Sequence, residues 1–127
     1  MSIQLNHTIV SARDPQASAA FLADMLGLAA PVQFGRFYGV TLDNGVTLDF
    51  LQDDGELSIQ HYAFLVSEEV FDAIFGRIRA RKLPYWADPR HQQADQINHH
   101  DGGRGLYWND PDGHYLEIIT HPYGSGS

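Results

Sequence analysis

Three side chains of this sequence have the donor types and the settings that suit a divalent metal ion: His7, His61 and Glu117. His7 lies in the run Leu5-Asn6-His7-Thr8-Ile9-Val10, His61 in Ile59-Gln60-His61-Tyr62-Ala63-Phe64, and Glu117 in Leu116-Glu117-Ile118-Ile119. Each run is short and rich in β-branched or aromatic residues, so each reads as a strand. Side chains of a strand alternate in direction. His7 therefore shares a face with Leu5 and Ile9, His61 with Ile59, Ala63 and Leu65, and Glu117 with Tyr115 and Ile119. A carboxylate on an apolar face is costly unless it is paired or bound to a metal. Two neutral imidazoles and one carboxylate around one ion meet that cost and leave coordination positions open. That is the facial triad favoured by non-haem Fe(II), with Mn and Zn as neighbours. Taken singly, each histidine also fits a hydrogen-bonded core or surface residue, and Glu117 also fits a partner for an arginine.

Repetition strengthens the metal reading. The two histidine runs each open a similar unit. After the first, Asp14 can cap a helix, Pro15 suits its first position and Gly27 its stop, with Phe21, Leu22, Met25 and Leu26 as the apolar face. After the second, Ser67 caps, Glu68 and Glu69 favour the first turn, and Val70, Phe71, Ile74, Phe75 and Ile78 form the stripe up to Leu83. Extended segments follow each helix: roughly residues 32–42 and 46–52 in the first half, and 105–109 and 114–120 in the second, with a further strand near Tyr85–Ala87. Asp43-Asn44-Gly45 and Asp110-Pro111-Asp112-Gly113 are the turns. The halves read β-α-β-β-β twice. Each ends on a strand with one carboxylate, Asp49 in the first and Glu117 in the second, and Asp49 is the natural fourth ligand. The segment 88–104 is an insertion, polar and rich in histidine. It is expected to be a mobile functional loop or lid, with Gly102-Gly103 as hinge.

The bulk composition narrows the function classes. The 127 residues suffice for one compact domain, and 43% hydrophobic with 19% charged residues mark it as globular. Eight basic against sixteen acidic side chains give a net charge of −8, which disfavours nucleic acid and anionic membranes as partners. Arg77, Arg79, Arg81 and Lys82 cluster at a helix end, where they complement the dipole. Cysteine is absent, which excludes thiolate ligands and disulfides and fits a reducing compartment. The opening MSIQLNHTIV lacks the basic and apolar regions of a secretory leader, so a cytoplasmic protein is expected.

The twofold β-α-β-β-β pattern resembles the vicinal oxygen chelate superfamily: glyoxalase I, bleomycin-resistance proteins, fosfomycin-resistance enzymes and extradiol dioxygenases. The resemblance covers nearly the whole chain and implies an α+β fold, two βαβββ modules (1–52 and 57–123) forming a curved, partly closed mixed sheet with helices outside. It places the metal ligands on strands that here carry His7, Asp49, His61 and Glu117. The stretch from Asn98 to Glu117 is similar to the extradiol ring-cleavage signature: His100, then Leu106-Tyr107, the turn Asp110–Gly113 and the ligand Glu117. By that resemblance His100 and Tyr107 touch the bound substrate oxygen. The family's further acid–base histidine is missing, since residues 32–52 contain none and Tyr38 is the nearby hydroxyl. The resemblance thus implies an enzyme that uses Fe(II), with Mn, Zn or Ni as alternatives, on a small catecholic or vicinal-oxygen substrate. Glyoxalase-like isomerisation, fosfomycin-type thiol transfer and a metal-free drug- or metabolite-binding module are the competing readings. It also implies a homodimer with shared metal sites.

Overall fold

The chain divides into two compact units, Met1–Ser58 and Ile59–Ser127, of which the computed structural model describes residues 2–126. Each unit carries one helix and one open, mixed, four-stranded sheet, so the chain is α+β with the β-α-β-β-β succession twice over.

In the first unit the order is β1 (His7–Ala12), α1 (Pro15–Leu26), β2 (Val32–Phe34), β3 (Phe37–Thr41) and β4 (Thr47–Gln52), and the sheet runs β1-β4-β3-β2. The β1–β4 pair is parallel, and the others are antiparallel. Helix α1 starts where Asp14 accepts from the Ala17 N–H at 3.1 Å with Pro15 behind it, and it stops at Gly27, whose φ of 70° is the left-handed cap. Its buried residues Ala19, Leu22, Ala23 and Met25 form one core with Val10, Ala12, Val40, Leu48 and Phe50 of the sheet. The single extended segment expected over residues 32–42 is broken into a hairpin. Gly35, at φ 59°, takes the first loop position between Phe34 and Phe37, which pair across it. Two-residue hairpins favour glycine there, because their twist needs positive φ.

The second unit repeats the plan with β5 (His61–Leu65), α2 (Glu68–Ala80), β6 (Tyr85–Trp86), β7 (Gly105–Asn109) and β8 (Tyr115–Ile119), in sheet order β5-β8-β7-β6. Ser67 Oγ caps α2 by accepting from the Val70 N–H at 3.1 Å. Phe71, Ile74 and Ile78 are wholly buried, whereas Val70 of the expected stripe is exposed. Arg104 clamps the start of β7 to α2: its Nε donates to Glu68 at 2.7 Å, its guanidinium pairs with Asp72 at 2.8 Å and lies over the Phe71 ring. Leu106, Trp108, Leu116, Ile118 and Phe64 make the core face of the sheet.

The insertion between β6 and β7 is pinned rather than free. The Asp88 carboxylate accepts from the Gln92 and Gln93 N–H groups, Asp95 N–H donates to Tyr85 at 3.0 Å, and Asn98 exchanges two backbone bonds with Gly105. A polar segment can thus be ordered by closing its backbone groups on one carboxylate and on two strand edges. Among the described residues, no helix is long and apolar enough to cross a membrane.

Candidate metal centre

Strand register fixes which residues share the outer face of the second sheet. Trp86 stands opposite Tyr107, Tyr107 opposite Glu117, and Glu117 opposite Ala63; in the next row Asn109 stands opposite Tyr115 and Tyr115 opposite His61. Glu117 and His61 are therefore diagonal neighbours, and the His61 Nε2 meets Glu117 Oε1 at 2.7 Å. The carboxylate is completely buried while the imidazole side chain is 47% exposed. A wholly buried carboxyl group and a half-exposed imidazole are thus presented together.

The other oxygen of Glu117 accepts from the hydroxyl of Tyr123, which also meets the Tyr107 hydroxyl at 3.1 Å. Tyr107 is buried, and its ring lies 5.7 Å from that of His61. Desolvation raises the Tyr107 phenol above its ordinary value, with the Tyr123 hydrogen bond and the Glu117 charge adding to it. Desolvation and then the bond to Glu117 raise Tyr123 likewise. Both phenols hold their protons and serve as donors rather than bases. Sequence reasoning missed Tyr123, because it lies past the last strand in a segment without periodicity.

The turn Asp110–Gly113 has a positioning role. Asp110 Oδ1 accepts from the Asp112 and His114 N–H groups, both at 2.9 Å, and burial raises its carboxyl above the usual range, against the pull of His114. His114, also unforeseen, is wholly buried and its Nδ1 accepts from the Gln60 N–H at 2.9 Å, which ties the entry of β5 to β8 directly before His61. His100 is exposed at the head of a short 3₁₀ turn (His100–Gly102), and none of the hydrogen bonds of Glu117 or Tyr107 reaches it.

In the first unit His7 stands exposed at the start of β1, with Nδ1 against Asn6 Oδ1 at 2.7 Å. An amide oxygen only accepts, so Nδ1 carries a proton, and in the neutral ring Nε2 is the atom left to ligate a metal. Asp49 stands opposite Ile9 and Gly39, and a Cβ on Gly39 would come within 2.9 Å of the Asp49 carboxylate. Gly39 thus keeps room for that side chain. Among the described residues no group of three or more His, Cys, Asp or Glu gathers closely enough to hold a metal ion. The donor types nonetheless suit one: the pair His61–Glu117 presents two ligand atoms side by side, and His7 a third of matching chemistry in the other unit. Among the described residues, a recess of about 540 Å³ in the first unit and one of about 580 Å³ in the second are lined by none of His7, His61 and Glu117.

The fold defines the class. The chain belongs to the Glyoxalase/Bleomycin resistance protein/Dioxygenase superfamily, whose family model matches residues 4–118. Two solved structures, Oxidase ChaP-H1 and Oxidase ChaP-H2, are each 61% identical to it. The first matches with a TM-score of 0.95 over 97% of this chain and 99% of the other, and the second with 0.97 over 100% of both. Among curated proteins the chain is 27% identical over 126 residues to the Metallothiol transferase FosB of Lysinibacillus sphaericus, covering 94% of this chain and 84% of that one.

Proposed function

We propose that this protein is a cytoplasmic, divalent-metal-dependent oxidase of the vicinal oxygen chelate type, acting on a small substrate through two neighbouring oxygens. The observation that carries this reading is the His61–Glu117 pair, a buried carboxylate 2.7 Å from a half-exposed imidazole. His7 is the third ligand of the proposal. When bound, the metal (Fe(II) first, then Mn, Zn or Ni) supplies Lewis acidity and, if iron, a place for O2. The chain's own residues do the rest. Glu117 would bring the negative charge that offsets the cation, and His61 would offer Nε2 in the tautomer whose proton sits on Nδ1. Tyr123 spends its one hydroxyl proton on Glu117, while Tyr107, kept protonated, would turn its hydroxyl from Tyr123 to donate to a substrate oxygen at the same face, with His100 as the further candidate from its turn. Among reactions, oxidation is favoured because two proteins of 61% identity over nearly the full length carry the name oxidase. Thiol transfer is the second reading, favoured by the match to a metallothiol transferase.

The test is anaerobic purification with elemental analysis, then oxygen uptake with a panel of catechols and thiol consumption with epoxide substrates. Oxygen uptake that follows metal content supports the proposal. Thiol consumption without oxygen uptake replaces it by the second reading. A fully folded protein that retains no divalent metal from a metal-supplied preparation leaves a metal-free binding module instead.

A further inference from the structure

We propose that Trp86 and Tyr115 frame a slot for one planar aromatic ring bearing a hydroxyl group, and that the imidazole of His91 is a placeholder in that slot. The proposal deepens the functional reading, on which it rests only in taking the ligand to be substrate.

Register sets the walls. Trp86 on β6 and Tyr115 on β8 flank β7 from either side, on the same face as Glu117; on β7 Tyr107 is the register partner of Trp86 and Asn109, two residues on, that of Tyr115. The insertion delivers His91 onto that floor. Its ring stacks on Trp86 with centroids 3.7 Å apart and planes 5° from parallel, and touches Tyr115 at 4.8 Å. That is the spacing of stacked aromatic planes, so the slot accepts a flat ring.

Three features make His91 a poor permanent occupant. Its backbone lies at φ 58°, in the left-handed region that a side-chain-bearing residue rarely adopts. Its Nε2 is buried with no hydrogen-bond partner among the described residues. Asn109 Oδ1 is buried and unpartnered in the same way. Each is a cost that a well-settled core avoids. The two unpartnered atoms are relieved together if the imidazole turns out to water and a hydroxylated ring enters, since Asn109 Oδ1 then accepts the hydroxyl proton, while the backbone of residue 91 keeps its φ. The Asp88 carboxylate, holding the Gln92 and Gln93 N–H groups, keeps the loop closed while the side chain moves.

The slot is tested by calorimetry on the full chain stripped of metal by chelation, with 2,3-dihydroxynaphthalene as probe and trans-cyclohexane-1,2-diol as its non-planar counterpart. The naphthalenediol should bind and the cyclohexanediol should not. His91→Gly, which empties the slot and suits the positive φ, should bind the probe about tenfold tighter, because the competing occupied state is removed. His91→Asn, which also tolerates that φ, should act in the same direction and serves if the glycine variant does not fold. Trp86→Leu should bind about fivefold to tenfold more weakly, the worth of one stacking contact. Weaker binding in both His91 variants would overturn the proposal, because the imidazole would then be a wall of the site. Tightening in His91→Gly without metal retention by the wild type keeps the slot and refutes the metal reading; metal retention without tightening does the reverse.

Discussion

Tyr123 sets its phenol on the Glu117 oxygen that His61 leaves free, and the same hydroxyl meets that of Tyr107 at 3.1 Å. A buried carboxylate is thus held from both sides, by an imidazole and by a phenol. Its satisfaction does not depend on distant charges.

The tyrosines give a titration that can be read directly. Tyr107, Tyr123 and Tyr62 all lie above the ordinary phenol value, and desolvation is the first cause for each. A group whose folded value is raised contributes stability that is complete below its unfolded value and is lost as pH rises above it. Stability should therefore decline above about pH 10, the ordinary phenol value. In a tyrosinate absorbance titration of the folded protein, these three of the six tyrosines should ionise last. Tyr123→Phe should remove one late-titrating group. A single transition of all six at the ordinary value would contradict the hydrogen-bonded chain.

The ligand assignment is tested by single substitutions. His7→Ala, His61→Ala and Glu117→Gln should each lower metal affinity by more than the about 10- to 100-fold that loss of an outer-shell partner costs. Glu117→Gln keeps the shape and a hydrogen-bonding oxygen, so its loss isolates the charge. Asp49→Ala should cost less, since three protein ligands suffice for an open site. Unchanged metal stoichiometry in Glu117→Gln would remove the central assignment.

Much of this was legible in the sequence because it is local or periodic. Asp14, Pro15 and Gly27 announce α1 by capping chemistry, and Ser67 announces α2, because each acts on backbone groups a few residues away. The alternation around His61 and Glu117 placed both on one face, and the parallel β5–β8 pair brings them together. The rest depends on tertiary neighbours. Tyr123 has no pattern of its own and gains its role only by folding back onto Glu117. His114 reads as a turn residue until its burial and its bond to Gln60 are seen. Insertion length and polarity suggest a mobile lid, but the many backbone bonds of Asp88 and Asn98 cannot be read from composition.

Those bonds reverse the expectation for the loop. The Gln92, Gln93, Asp95 and Asn98 amides should be protected from hydrogen exchange in the free protein, since each donates a hydrogen bond. Asp88→Ala removes the acceptor for two of them. It should speed exchange at Gln92 and Gln93 and lower stability by about 2 kcal/mol, the net worth of two typical hydrogen bonds. Fast exchange at all four positions in the wild type would restore the free-lid picture.

The homodimer with shared sites is the last prediction. His7 belongs to the first unit, while His61 and Glu117 belong to the second. The sheet face that carries His7 also leaves Ile9, Val32 and Phe34 exposed, at 50%, 71% and 81%. Apolar side chains exposed along one sheet face favour a partner surface, and most oligomers of a single chain type are twofold dimers. In such a dimer His7 of one protomer would complete the His61–Glu117 pair of its partner, and each dimer would carry two sites. Complementation decides it. The His7→Ala and Glu117→Gln proteins, each deficient alone, are mixed under conditions that exchange subunits, with exchange verified by mass-tagged chains. Shared sites predict a heterodimer with one intact site, because one protomer retains His7 and the other retains both His61 and Glu117. At complete random exchange, half of the dimers are mixed, so about a quarter of the wild-type metal content should return. No recovery despite verified exchange would show that every chain builds its own centre.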